Sequence, residues 1–326
     1  MLGIARPLPV HYADYVPHDV LPYQPRPGSV VEGRSEFDEF DVELRHNSFG
    51  FRGGEPAVPK PPDVLRIVGL GDSFTYGIGA PEDSVYLSLL GERVDRPGQR
   101  VDVINLGIPR YFTEAQRLVL ELYGGQLQPD VVTLGFVPND IVDTRLGLDG
   151  VGVSPDGWLV SADGAEALSE LGPGLMWLYR NSHTFRVFFV AWMDRQSDEP
   201  HIEWGDVFKE NGSLEGDWRE VEDQLDRIAE LVDGLGAEFV VVHIPLSGPW
   251  GPEASYPADR LRKWARRSDA HFVDALPALA EHDDMNDLYW ARDGHATPLG
   301  NDIIASVMAD FLVESGLTES AEPPAP

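Results

Sequence analysis

The chain has 326 residues, and 25 Lys and Arg against 55 Asp and Glu leave a net charge of −30. Such acidity excludes a nucleic-acid partner and an anionic membrane surface, because each requires a basic face. With 42% hydrophobic and 10% aromatic residues the composition is that of a folded globular protein, not of a disordered acidic chain.

Only Lys60, Lys209 and Lys263 are lysines, a bias toward arginine that fits a GC-rich genome or a salty habitat equally. Cysteine is absent, which removes disulfides, thiolate metal ligands and a cysteine nucleophile. No apolar stretch approaches the roughly 20 residues that span a bilayer, and the best candidate, Phe185 to Met193, is too short. The start, Met1 to Pro7, lacks the charged region and apolar run of a signal peptide. The expected location is therefore cytoplasmic if Met1 is the native start, and extracytoplasmic if a leader was removed.

Residues 1–60 are rich in Pro and Gly, with short alternating stretches such as Phe40-Asp41-Val42-Glu43-Leu44 that suit edge strands. They read as an extension wrapped on a core domain, 61–316. From Leu65 onward, apolar runs of strand length alternate with segments of helical spacing, which predicts an α/β domain with a parallel sheet. The predicted strands are Arg66 to Leu70, Val101 to Leu106, Val131 to Phe136, Glu238 to Ile244 and His271 to Asp274.

Thr113-Glu114-Ala115-Gln116 fits a capping box at a helix start. Thr297-Pro298 places a cap residue before a first-turn proline, opening a last helix that runs to about Ser315. At about residues 145–215 the alternation breaks into an expected hairpin around Asp156-Gly157 and an aromatic-rich helix near Met176 to Met193. This reads as an insertion that covers a site. The acidic, Pro- and Ala-rich tail, 317–326, is expected to be disordered.

The strongest local signal is Gly69-Leu70-Gly71-Asp72-Ser73-Phe74-Thr75-Tyr76-Gly77, a strand running into a glycine-flanked polar turn. Ligands of open α/β sheets bind beyond the carboxyl ends of the strands, so Ser73 stands where a reactive group belongs. Phosphate-loop readings fail: Phe74 occupies the place of a third glycine, and no Lys-Ser or Lys-Thr follows. The nucleophile elbow of α/β-hydrolases fails too, since Thr75 stands where its glycine would be.

A serine nucleophile needs a base and a group that orients the base. Arg292-Asp293-Gly294-His295, just before the capped last helix, offers both on one short loop. An acyl transfer also needs donors aimed at the developing oxyanion. Asn105-Leu106-Gly107 after the second strand offers the Gly107 N–H, and Val137-Pro138-Asn139-Asp140 after the third offers the Asn139 amide. Four turns at one sheet edge thus supply a nucleophile, donors, a base and its orienter.

These residues resemble the SGNH (GDSL-type) hydrolases. The four blocks match in order: Gly71-Asp72-Ser73-Phe74, Gly107, Asn139-Asp140, and Asp293 with His295. Asn47-Ser48-Phe49-Gly50-Phe51-Arg52-Gly53 and Gln128-Pro129-Asp130-Val131-Val132 extend the likeness to a bacterial branch of secreted or membrane-anchored members. The resemblance covers roughly 45–144 and 238–313.

It implies a flavodoxin-like three-layer α/β/α sandwich in which Ser73 attacks an ester, His295 acts as base and then acid, and Asp293 orients it. Ser73 N–H, Gly107 N–H and the Asn139 side chain would form the oxyanion hole. No cofactor and no metal ion is implied. Two departures stand out. The last block is spaced Asp-x-His, as in relatives of alginate acetylation, where many members have Asp-x-x-His; Asp287 is thus a second candidate orienter. Val137 replaces the first glycine of Gly-x-Asn-Asp.

Asp72 and Asp140 read as residues that hold their turns by hydrogen bonds. His243, late in a strand, reads as a satisfied core histidine. The run His282 to Asp287 reads as a solvated acidic turn, its spacing not being that of a calcium loop. The insertion aromatics Trp177, Tyr179, Phe185, Phe188, Phe189 and Trp192 read first as core, with a substrate wall as the alternative. The expected reaction is cleavage of a small acyl group, acetyl in the first instance, from an alcohol or carbohydrate. An O-acyltransferase and a non-catalytic carbohydrate-binding module are the other readings, and the oligomeric state is open.

Overall fold

The structure is a computed structural model that describes residues 14–35, 37–95, 100–194, 204–210, 212–248, 250 and 252–318. Five parallel strands form the central sheet: β1 (Val64–Gly71), β2 (Arg100–Asn105), β3 (Val131–Phe136), β4 (Glu238–His243) and β5 (His271–Asp274). They lie in the order β2-β1-β3-β4-β5. That is the flavodoxin-like order, in which the sense of strand addition switches between β1 and β3 and opens a crevice at their carboxyl ends.

The inner strands β1, β3 and β4 are buried along nearly their whole length because both faces of the sheet are covered. Val68, Leu70, Val132, Leu134, Phe136, Phe239 and Val241 face one layer, with α3 (Thr113–Leu127), α7 (Glu215–Leu235) and α8 (Tyr256–Arg267) packed on it. Ile67, Val131, Val240, Val242 and Val273 face the other, against α2 (Tyr86–Val94) and α9 (Pro298–Glu314). The three-layer sandwich expected from the sequence is the observed fold.

The start of the last helix is as the sequence predicts: Thr297 caps α9, its side chain accepting from Gly300 N at 3.3 Å. The predicted capping box at Thr113 does not form. The N-cap of α3 is Phe112, in extended conformation, so Thr113 is already inside the helix and its Oγ1 is buried without a partner among the described residues. Gln116, freed from the box, donates instead to Tyr111 O at 3.0 Å.

Before the sheet, Tyr15–Val16 pairs with Gln24–Pro25, and Val30–Arg34 pairs with Asp41–Arg45 in a second antiparallel ribbon, separate from the central sheet. Within the insertion, Val151–Val153 and Leu159–Ser161 form the hairpin expected around Asp156-Gly157. The single aromatic helix predicted after it is in fact two, α5 (Pro173–Asn181) and α6 (His183–Asp194), because Ser182 is extended between them.

The core reading of the insertion aromatics holds only in part. Tyr179 is buried beside Leu168 and Met176, with Phe185 and Phe189 packed against them. Trp177, Phe188 and Trp192 are 62%, 72% and 55% exposed. The tail from 319 onward lies outside the described residues. Among the described residues, no helix is long and apolar enough to cross a membrane.

Candidate active site

Strand β1 ends at Gly71, whose φ of +154° suits glycine, and a side chain there would overlap Thr75 Oγ1. The chain then enters α1 (Ser73–Tyr76), a single helical turn capped by Asp72, which accepts from Phe74 N at 2.8 Å. Ser73 is the first residue of that turn, and its N–H has no acceptor among the described residues. A one-turn helix directly after a buried strand thus aims Ser73 at the crevice.

The other reacting groups come from the chain just ahead of α9. His295 Nε2 lies 2.8 Å from Ser73 Oγ, and His295 Nδ1 lies 2.6 Å from Asp293 Oδ1. Gly294, at φ +86°, makes the tight turn that folds Asp293 back onto the imidazole two residues on. Phe74 packs against the same ring, centroid to centroid 4.9 Å. Asp287, the second candidate orienter, is elsewhere: its carboxylate meets His282 at 3.2 Å.

Asn139 opens α4 (Asn139–Leu146) after β3, and its amide donates to Asp72 Oδ2 at 2.9 Å and to Asp143 Oδ2 at 3.2 Å. Burial pushes the Asp72 carboxyl up to about 6, against the opposing effects of the Asn139 and Phe74 hydrogen bonds and the nearby His295. Asp140 is raised well above the ordinary carboxylate range, first by burial and then by the charges of Asp72 and Asp143. Asp72 therefore holds the serine turn to Asn139. The Asp140 carboxylate accepts from Gln116 at 3.5 Å through Oδ2, while its Oδ1 has no partner among the described residues.

Gly107, the expected oxyanion donor, lies in the turn after β2. Its N–H donates to Asn105 Oδ1 at 2.9 Å and is already engaged. What demands glycine there is close packing, since a Cβ would stand 2.8 Å from Thr75 C and closer still to Tyr76 N. The neighbouring Arg110 carries an N–H with no acceptor among the described residues. It sits at φ +65° after Pro109, with Tyr111 N bonded to Ile108 O at 3.1 Å, the geometry of a type II turn. The one hint in the sequence is Pro109, which favours such a turn without saying that an arginine takes the position usually given to glycine. The Arg110 guanidinium lies 3.5 Å from Asp143.

His243 is buried at the end of β4 and bonds Asp274 through Nδ1 at 2.9 Å, while its Nε2 has no partner among the described residues. The acidic run from His282 forms a turn in which Asp284 caps a short helix, accepting from Asn286 N at 2.9 Å.

A parallel α/β sheet carrying a serine, a histidine and an aspartate in one hydrogen-bonded line at its carboxyl edge is an arrangement shared by serine hydrolases. The sequence pattern of the GDSL-like lipase/acylhydrolase family matches residues 70–303, and the chain belongs to that family. No curated protein matches the sequence.

Among solved structures, TesA is 14% identical with a TM-score of 0.46, covering 76% of this chain and 97% of its own. The acetylxylan esterase Axe2 of Geobacillus stearothermophilus, as a catalytic mutant, is 15% identical at 0.43, covering 77% and 94%. The psychrotrophic esterase EstA of Pseudoalteromonas sp. is 12% identical at 0.44, covering 77% and 98%.

Proposed function

We propose that this protein cleaves a small acyl group, acetyl in the first instance, from an alcohol or carbohydrate ester through an acyl-enzyme on Ser73. The observation that carries the reading is the continuous line Ser73 Oγ, His295 Nε2, His295 Nδ1, Asp293 Oδ1, with links of 2.8 and 2.6 Å. Asp293 as acceptor fixes the proton on Nδ1 and leaves Nε2 free to take the Ser73 proton.

Ser73 Oγ then bonds the ester carbonyl carbon, and the proton passes to Nε2. The imidazolium is stabilised by Asp293 and delivers that proton to the departing alcohol oxygen as the C–O bond breaks. Water attacks the acyl-enzyme by the same route, giving its proton to Nε2 and releasing the acid while Ser73 Oγ regains a proton. The tetrahedral oxyanion is met by the Ser73 N–H, by the Asn139 amide once it yields its longer bond to Asp143, and by an N–H of the Gly107 to Arg110 turn. Of that turn's donors, the unengaged Arg110 N–H suits the role better than the Gly107 N–H.

The Asp293-Gly294-His295 spacing supports acetyl as the acyl group, through its likeness to relatives of alginate acetylation. The same spacing favours, as a second reading, transfer of the acyl group to a sugar hydroxyl. Hydrolysis of p-nitrophenyl esters of increasing chain length by the pure protein tests the proposal: acetate is expected to turn over fastest, and activity must vanish in Ser73→Ala. Undiminished activity in that variant overturns it. Mass analysis of acceptor glycans incubated with an acyl donor separates transfer from hydrolysis.

A further inference from the structure

The run Asn47 to Gly53, distinctive in the sequence, has no part in the proton line, yet it reaches the nucleophile. Arg52 is buried, and its Nη1 donates to Tyr76 O at 2.9 Å and Gly77 O at 2.5 Å, its Nη2 to Ala80 O at 2.6 Å. These carbonyls are at the C-terminal end of α1 and in the turn that follows, the end where helix carbonyls lack partners and a cation is favoured. On its other side, Thr75 O is held by Asn105 Nδ2 at 2.7 Å. A one-turn helix has almost no bonds of its own to hold its direction, so these contacts set where Ser73 points.

The same N-terminal segment grips two more of the four turns. Glu39 accepts from Arg292 N at 3.0 Å and Asp293 N at 2.9 Å, tying down the backbone that carries the orienter and base. The buried Tyr23 hydroxyl donates to Pro109 O at 2.8 Å, in the turn that bears the Arg110 N–H. Arg52 makes no ion pair among the described residues, and its Nε is buried without a partner. Burying a guanidinium on these terms is costly, and an apolar side chain would serve packing alone at less cost.

We propose that the segment ahead of the sheet is a working part of the active site, with Arg52 and Glu39 as positioning residues for the serine turn and for the Asp293–His295 turn respectively. Together they hold Ser73 Oγ and His295 Nε2 at the separation across which the proton moves. This rests on the serine-hydrolase reading.

The test uses the full chain and follows kcat, KM, melting temperature and the rate at which a fluorophosphonate labels Ser73. A misplacement approaching 1 Å lowers rates on the order of 100-fold, so Arg52→Ala is expected to lose about that factor in kcat and in labelling, with KM nearly unchanged. A cavity of about 150 Å³ bordered by Arg52, Glu82 and Asn105 gives a free guanidinium ion room to enter the vacated place. Added guanidinium is therefore expected to restore much of the rate to Arg52→Ala while leaving the wild type unchanged. Arg52→Lys is expected to remain impaired, because one ammonium cannot span three carbonyls in fork geometry.

Glu39→Ala changes a half-exposed side chain and keeps the fold. It is expected to lower kcat about tenfold at constant KM, as small misplacements do. The positioning role is overturned if Glu39→Ala retains full kcat, or if the Arg52→Ala loss merely follows its melting temperature and does not respond to guanidinium. A wild type that the probe does not label refutes the hydrolase reading itself. A labelled wild type with Arg52→Ala labelled as fast refutes only the positioning role.

Discussion

Replacing Gly107 with alanine separates two explanations of that glycine. Alanine keeps the backbone N–H, so a residue needed only as an oxyanion donor would tolerate the change. In the structure a Cβ at 107 stands 2.8 Å from Thr75 C and 2.9 Å from Thr75 Cβ, where ordinary contact begins at 3.4 Å. The obstacle is backbone of α1, not the end of a flexible side chain, so relief needs a shift of roughly 0.6 Å at Thr75 and more at Tyr76, two and three residues after Ser73.

Displacements of that size at a nucleophile cost about 10- to 100-fold in rate, and the overpacking itself costs about 1–3 kcal/mol of stability. Fluorophosphonate labelling of Ser73, followed beside thermal unfolding, reads both effects. A Gly107→Ala protein with wild-type labelling rate and melting temperature would refute the packing argument.

Asp293→Asn presents an amide N–H to His295 Nδ1, forcing the ring proton onto Nε2, and kcat is expected to fall on the order of 10³- to 10⁴-fold with little change in KM; a loss under about tenfold would contradict the orienting role. Asp140, with a folded pKa held well above its ordinary 3.8, contributes stability that is full below 3.8 and is lost as pH rises through the folded value. Asp140→Asn mimics the neutral form, so its melting temperature relative to wild type should climb as pH is raised above 3.8 and show no gain below it; a gain that is the same across that range would contradict this. The net charge of −30 should favour neutral over anionic esters, since Arg110 at the rim is already committed to Asp143. The preference should shrink as salt is added, and equal rates at low ionic strength would contradict it.

The sheet was legible because its inner strands, buried on both faces, are written as largely apolar runs, and β3 and β5 have the predicted limits. β1 runs two residues earlier than predicted, to Val64, and one later, to Gly71, because pairing with β2 extends its start and pairing with β3 extends its end. Thr297 was readable as a cap because Pro298 fixes the first turn. Thr113 was misread because a hydroxyl at the first helical position and one at the cap look alike in sequence, and here the backbone of Phe112 takes the cap.

In the site, Ser73, Asp293 and His295 sit in short local patterns, and the structure brings those three together. Gly107 was singled out as an oxyanion donor, while its close packing against Thr75 and Tyr76 and its bond to Asn105 Oδ1 depend on contacts the sequence does not display. The contacts of Arg52, Glu39 and Tyr23 join residues from 24 to 254 positions apart, and no local pattern announces them. The exposure of Trp177, Phe188 and Trp192 was equally hidden, since an aromatic in a helical repeat looks the same whether or not anything packs on it.

The central claim is that Ser73 is the nucleophile, activated by His295. Its most direct test is reaction of the pure protein with a fluorophosphonate, followed by peptide mass analysis. One stoichiometric adduct is expected on the peptide containing Ser73, abolished in Ser73→Ala and slowed severely in His295→Ala. An unmodified Ser73 in folded protein, or an adduct that forms as fast without His295, would contradict it.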